Sequence, residues 1–261
     1  MIMRPRRYGW IPDIPDNRDF RYAAPLAVLR ALPPKVDLRG QCPAVYDQGE
    51  LGSCTANAIG AAHQFNQIKQ SAKTVFVPSR LFIYFNERVI IGTVNEDSGA
   101  MIRDGIKSVA KEGVCPEPQW PYVISRFTKK PSKACYAAAL NHQAISYRRL
   151  PLTLNQMKGC LASGFPFVFG FNVYESFESN TVTRTGNVPM PRAGEAILGG
   201  HAVITVGYDD TTKRFTVRNS WGEAWGKKGY CFMPYAYLTN ADLADDFWTI
   251  RTVEVPAERA A

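Results

Sequence analysis

The sequence predicts an α+β protein with a mainly helical lobe, a strand-rich lobe and a cleft between them. Three observations predict it. Before about residue 165, apolar residues recur at three- and four-residue steps, and after Pro166 they gather in runs of branched and aromatic residues. The third is that 46% of 261 residues are hydrophobic, enough for one large domain or two closely packed lobes.

Residues 1–34 carry six prolines (5, 12, 15, 25, 33 and 34) and no sustained period, so they read as an extended surface arm. Such an arm stays ordered only if it docks. Ser53 is placed to cap a helix whose face is Cys54, Ala58, Ala61, Phe65 and Ile68. Pro78-Ser79 opens a second, RLFIYFNERV. Ile102, Ile106 and Val109 mark a third that stops at Gly113. Thr153 caps a fourth, with Leu154, Met157 and Leu161 before the stop at Gly164. The predicted strands are PFVFGFNV, HAVITVGYDD, KRFTVRNS, KGYCFMPYAYL and DFWTIRTV, with a hairpin turn at Asp209-Asp210-Thr211-Thr212. Between the first two, SFESNTVTRTGNVPMPRAGEAILGG is polar and irregular, and no internal repeat is visible.

The net charge of +8 attracts anions without any specific site. Its basic residues are scattered apart from RPRR at 4–7, and neither zinc-finger spacing nor a glycine-aromatic RNA signature occurs. A solvated basic surface is expected, with no nucleic-acid partner. No apolar run approaches the roughly 20 residues needed to cross a bilayer. The opening MIMRPRRYGWIPDIPD lacks the apolar core of a secretory signal, so the expectation is a cytoplasmic protein or one exported by a non-standard route, with no membrane partner.

Cysteines stand at 42, 54, 115, 135, 160 and 231 without a CxxC pair, which argues against zinc and against a redox motif; no metal or other cofactor is expected. If Cys54 is reserved for chemistry, five remain. Cys115 and Cys135 flank a proline- and lysine-rich loop and are the first pair to test for a disulfide; plain burial is the default for the others.

A thiol attacks as thiolate, and a helix N-terminus favours that charge. Cys54 occupies such a place. Of three candidate bases, His63 lies on the same helix at a phase and distance that keep it from the sulfur, and His142 has no partner pattern. His201 stands in GGHAVITVGYDD, on a predicted strand, with Asn219 eighteen residues later on the next strand. An amide oxygen there holds the imidazole's orientation and tautomer, and Trp221 shields that bond from water. Core packing alone also accounts for Trp221 and Trp225, and a structural histidine is the bland alternative for His201.

These residues make the chain resemble the papain family of cysteine peptidases from about Pro34 onward. PPKVDLRG is similar to the start of the mature domain, QGELGSC to the nucleophile turn, GGHAVITVGY to the histidine strand and NSWGEAWGKKGY to the asparagine strand. The spacing from Cys54 to His201 and Asn219 agrees with papain-type enzymes. PSRLFIYFNER, DSGAMIRDGI and WPY look like bacterial members. The resemblance implies a papain-like two-lobe fold. Residues 1–34 would be an arm or short pro-segment and 35–261 the peptidase domain, with a helical lobe at about 43–145 and a β-barrel-like lobe at about 146–261 plus 35–42.

It further implies a monomeric endopeptidase acting on peptides or proteins, with Cys54 as nucleophile, His201 as its acid/base partner, Asn219 as orienter and Gln48 completing an oxyanion hole with the Cys54 N–H. Gly99 and Ala100 would bind substrate backbone. Ile102, Gly170 and Ala202 would line the subsite for the second residue before the cleaved bond, roomy enough for a bulky apolar or aromatic side chain, and Trp221 would lie beside the site.

Three departures accompany the resemblance. Leu51 replaces a half-cystine, so packing must hold the turn. Thr55 replaces an aromatic residue and is expected on the leaving-group side. The short arm replaces a longer helical prosegment; it either lies in or beside the cleft and restrains activity, or is a docked structural extension. The alternatives in function are a catalytically silent peptide-binding protein on this fold, against which the intact Cys54, Gln48, His201 and Asn219 argue, and a shorter-fold cysteine amidase, which would lack the NSWGEAWGKKGY block.

Overall fold

A computed structural model describes residues 8–255. The arm runs mostly extended from Tyr8, with one short helix, α1 (Leu26–Arg30), and leads into β1 (Lys35–Asp37). The helical layer follows as α2 (Cys54–Lys69), α3 (Arg80–Ile91), α4 (Ile102–Glu112) and α5 (Lys133–Ala139). Next come β2 (Ala144–Arg149), α6 (Leu154–Ala162), β3 (Phe167–Tyr174), α7 (Asn180–Thr185) and β4 (Ile197–Asp209). The chain continues through β5 (Arg214–Arg218), β6 (Tyr230–Pro234), the one-turn α8 (Tyr235–Leu238) and β7 (Ala244–Val253).

The strands form one antiparallel sheet in the order β2-β7-β3-β4-β5-β6, with β1 paired to β4. Register places Phe171 opposite His201 and Gly170 opposite Ala202, so the centre of the β3–β4 pair carries the candidate site. Below it the pleat buries Phe167, Phe169 and Phe171, and Phe169 stacks on Phe247 of β7 at 5.5 Å. Such aromatic pairs add about 0.5–1.5 kcal/mol beyond the area they bury. The sheet is therefore a firm platform for a side chain that must not drift.

The four predicted helices and five predicted strands are present, with revisions at their ends. Ser79 caps α3 through the Phe82 N–H, and left-handed Gly92 ends that helix. Neither Ser53 nor Thr153 caps with its side chain; the Ser53 hydroxyl is taken by the Tyr122 hydroxyl at 2.5 Å instead. The strand read from KGYCFMPYAYL stops at Pro234, which has no N–H to continue a ladder, and the next four residues turn into α8. The segment expected to be irregular folds in part as α7. Strand β2 was missed because AISYRR carries a polar, half-buried pattern. All six cysteines are thiols, Cys115 and Cys135 included, although burial and mutual contact push the Cys115 thiol up to about 12.

The arm is docked along its described length. Its Phe20–Tyr22 segment bridges to Arg149 on β2, and the Ala24 N–H donates to Gln156 of α6 at 2.7 Å. Residues 1–7, which include the RPRR cluster, lie outside the described residues. No helix among the described residues is long and apolar enough to cross a membrane.

Candidate active site

The turn before α2 is tied to the strand layer. The Gln48 N–H donates to the Ser220 carbonyl at 2.9 Å, its side-chain oxygen accepts from the Ser220 hydroxyl at 2.7 Å, and its Nε2 donates to the Leu51 carbonyl at 2.9 Å. Leu51 is buried, so packing holds a turn that lacks a disulfide. Tyr122 also grips the turn, donating to the Gln48 carbonyl at 2.9 Å.

Cys54 opens α2 and is fully buried. Backbone groups of Ala202, Gly9 and Thr55 act on its sulfur to favour the thiolate; Ala202 is the residue after His201 and Gly9 belongs to the arm. Burial nevertheless pushes the thiol up to about 12, and Glu87, when ionised, acts in the same direction. With the arm in place, burial favours the neutral thiol at Cys54.

His201 is also fully buried, and its Nε2 meets the Asn219 Oδ1 at 2.8 Å. An amide oxygen only accepts, so Nε2 carries a proton and exchange with a nucleophile falls to Nδ1. Trp221 stacks on the imidazole at 4.7 Å and Phe171 meets its edge at 5.7 Å. This dry cover strengthens the bond to Asn219. His63 and His142 lie elsewhere: the His63 ring pairs with the His142 carbonyl and the Gln67 side chain, as a structural histidine does.

The groove beside Cys54 is occupied by the arm. The Ala100 N–H donates to the Gly9 carbonyl at 2.7 Å and its carbonyl accepts from the Ile11 N–H at 3.0 Å, a parallel bridge. The Trp10 N–H donates to the Gly200 carbonyl at 2.9 Å. Glycine is required at two contacts. A Cβ on Gly9 would lie 1.7 Å from the Gly52 carbonyl oxygen, and one on Gly170 would lie 2.0 Å from the Trp10 indole. Gly99 likewise abuts the Gly9 backbone, while Ile102 and Ala202 are buried in the cluster that holds Trp10. Tyr8 lies 6.3 Å from the rings of both His201 and Trp221.

The indole Nε1 of Trp10 donates to the Asp246 Oδ2 at 3.0 Å, and the Asp13 N–H donates to the same oxygen at 2.7 Å. Arg149 holds the other oxygen at 2.9 Å. Burial and the facing Asp13 push the Asp246 carboxyl up to about 7. A carboxyl group therefore stands beside the indole that lies against Gly170.

The family described as papain family cysteine protease matches residues 32–247. The chain belongs to the papain family of cysteine proteases. An uncharacterised peptidase C1-like protein of Acanthamoeba polyphaga mimivirus is 43% identical over 275 residues, covering 96% of this chain and 88% of its own. Vignain of Phaseolus vulgaris is 24% identical over 250 residues, covering 89% of this chain and 61% of the plant protein. Among solved structures, xylellain, a cysteine protease from Xylella fastidiosa, superposes with a TM-score of 0.89 at 50% identity, covering 97% of this chain and 99% of that one. A procathepsin B from Trypanosoma congolense shares the fold at a TM-score of 0.76 and 17% identity, covering 95% and 87%. The chain is thus a papain-like cysteine endopeptidase, a hydrolase of peptides and proteins, of the kind represented in bacteria by xylellain.

One expectation about this papain-family site is corrected. Thr55 does not face the leaving-group side; it is fully buried and donates to Glu87 at 2.6 Å, because the first turn of α2 points it into the helical layer. Sequence reading also missed Trp10, Asp246, Ser220 and Tyr122. For Asp246 there was a signal, the pair of acidic residues inside the strand pattern ADDFWTI.

Proposed function

We propose that Cys54 attacks the scissile carbonyl as a thiolate paired with the His201 imidazolium, and that Asn219 orients the imidazole. The observation that carries this reading is the 2.8 Å His201–Asn219 bond under Trp221, beside a cysteine at a helix N-terminus. The Cys54 N–H and a Gln48 side-chain N–H would receive the developing oxyanion; one such donor is worth about 2.7–4 kcal/mol in other enzymes. His201 then protonates the leaving amine, and water deprotonated by His201 releases the acid from the acyl-enzyme. Gly99 and Ala100 bind substrate backbone, and Ile102, Gly170 and Ala202 line the adjoining subsite.

The arm is read as an internal inhibitor. Support comes from its backbone bonds to Ala100 and Gly200, from Gly9 against the sulfur and from Trp10 against Gly170. A substrate needs the same places, so the two exclude each other. The reading includes residues 35–261 as one peptidase domain, with lobes at about 43–145 and at about 146–261 plus 35–42, acting as a monomer.

The test compares full-length protein with a chain starting near Pro34, using dipeptidyl reporter amides and a thiol-specific epoxide. Faster turnover and labelling in the short chain, abolished by Cys54→Ala, is the expected result. Equal rates would sink the inhibitory role, and absence of Cys54 labelling in both would sink the nucleophile assignment.

A further inference from the structure

Helix α3 carries a carboxyl that peptide hydrolysis, as derived above, does not use. Glu87 is completely buried in the helical layer. One of its oxygens accepts from the Thr55 hydroxyl at 2.6 Å, and the other has no hydrogen-bond partner among the described residues. Helix α4 closes over that second oxygen, since a Cβ on Gly105 would come 2.5 Å from it.

Among the described residues no cation pairs directly with this carboxyl. Its chain neighbour Arg88 spends its guanidinium on the carbonyls of Tyr84, Val94 and Glu96. From α4 the charged group that acts on it is Asp104, of the same sign; from α2 the facing groups are Thr55 and the Cys54 thiol. The Thr55 hydrogen bond and the nearby Arg88 charge favour the anion, but complete burial outweighs both, so the acid form is favoured. Burial pushes this carboxyl up to about 8. Thr55 follows the nucleophile directly, and its backbone contacts the Cys54 sulfur.

We propose that Glu87 is a positioning residue for the nucleophile: as a neutral acid it anchors the Cys54–Thr55 turn and leaves the thiolate unopposed, and on ionising it opposes the thiolate. The proton is lost to solvent when the carboxyl ionises, and no other bond changes. Activity is then limited from the alkaline side by a group that touches neither substrate nor the reacting atoms. The Thr55 departure from the family pattern gains a purpose, because a hydroxyl is what links this carboxyl to the nucleophile turn. The proposal rests on the assignment of Cys54 as nucleophile.

The test uses full-length chains carrying Trp10→Ala, so that the arm does not set the rate. The pH profile of kcat/KM is compared with Glu87 intact and with Glu87→Gln, the isosteric neutral residue. The expected result is full activity near neutral pH, an unchanged acid limb and an alkaline limb moved upward by about one pH unit, roughly a tenfold advantage at about pH 9.5. Independently of activity, infrared difference spectra between the chain with Glu87 and the Glu87→Gln chain should show a protonated carboxyl band at about pH 6 that fades through about pH 8 and is shifted by Thr55→Val, which removes its hydrogen-bond donor. Superimposable alkaline limbs, a uniform loss of rate at every pH, or no such band would overturn the proposal. If Cys54 were not the nucleophile, the Trp10→Ala parent itself would neither turn over substrate nor label, a result distinct from all three.

Discussion

Trp10 and Asp246 stand 236 residues apart in the chain and meet in the groove beside Cys54, the indole Nε1 donating to Oδ2 at 3.0 Å. A buried hydrogen bond is worth about 0.5–1.5 kcal/mol when the acceptor is neutral and about 1.5–3 kcal/mol when it is charged, so roughly tenfold in an equilibrium near the value of about 7 at which Asp246 ionises. Trp10→Phe keeps an aromatic ring against Gly170 and loses this bond, so it should speed epoxide labelling of Cys54 in the full-length chain by roughly tenfold or more. Labelling no faster than in the unsubstituted chain would show that Asp246 does not help to hold the arm.

The same contact makes arm docking dependent on pH. Docking brings Asp13 and Asp19 of the arm beside Asp246, three buried carboxyls against the guanidiniums of Arg103 and Arg149. Asp13 accepts from the Arg103 N–H at 3.0 Å and from the Trp248 indole at 2.9 Å, while Arg103 pairs with Asp19. Lys107 reaches Asp16 and Asp19 from the rim, and Asp245 lies at its exposed edge. Burial raises Asp13, and burial together with Asp13 raises Asp246 to about 7.

A carboxyl with a raised value binds a proton in the docked state that it has lost in the released state. The arm's grip is therefore full below the ordinary carboxylate range, at about pH 4, and is lost as pH rises through about 7. Labelling of Cys54, taken relative to the Trp10→Ala chain at each pH, should rise across that window. Asp246→Asn should flatten the rise. A ratio that stays constant from about pH 4 to 8 would contradict the linkage.

In the proposed mechanism Asn219 acts through the posture of His201, to which it is hydrogen-bonded. In the Trp10→Ala chain, Asn219→Ala should lower kcat by roughly 100-fold, because the imidazole loses the partner that fixes its ring and tautomer, while KM changes little. Gln48→Ala should lower kcat by roughly 100- to 1000-fold if its amide receives the oxyanion. Steady-state kinetics on a dipeptidyl reporter amide separates these effects from a binding defect, which would appear in KM alone.

Legibility in the sequence followed how local each feature is. Cys54 at a helix start, His201 on an alternating strand and Asn219 beyond a hairpin each sit in a short pattern whose chemistry can be read without neighbours. Trp10 and Asp246 gain meaning only when two distant segments meet, which no period or spacing encodes. The side Thr55 faces is not legible locally because one residue of helical phase decides between cleft and interior, and its partner there, Glu87, comes from another helix. Ser53 was misjudged for a similar reason: its hydroxyl had a competing offer from Tyr122 that lies far along the chain.

The occupant of the groove is covalently part of the enzyme. Its concentration at the site is set by the length of chain between Asp13 and the start of β1, so diluting the protein does not release it, and a soluble competitor must outbid a local concentration in the millimolar range. One cut between α1 and β1 would turn the same residues into an ordinary ligand that dilution removes. On the inhibitory reading proposed for the arm, a single hydrolysis there, by another protease or by another copy of this chain, would make activation irreversible although no contact inside the groove had changed.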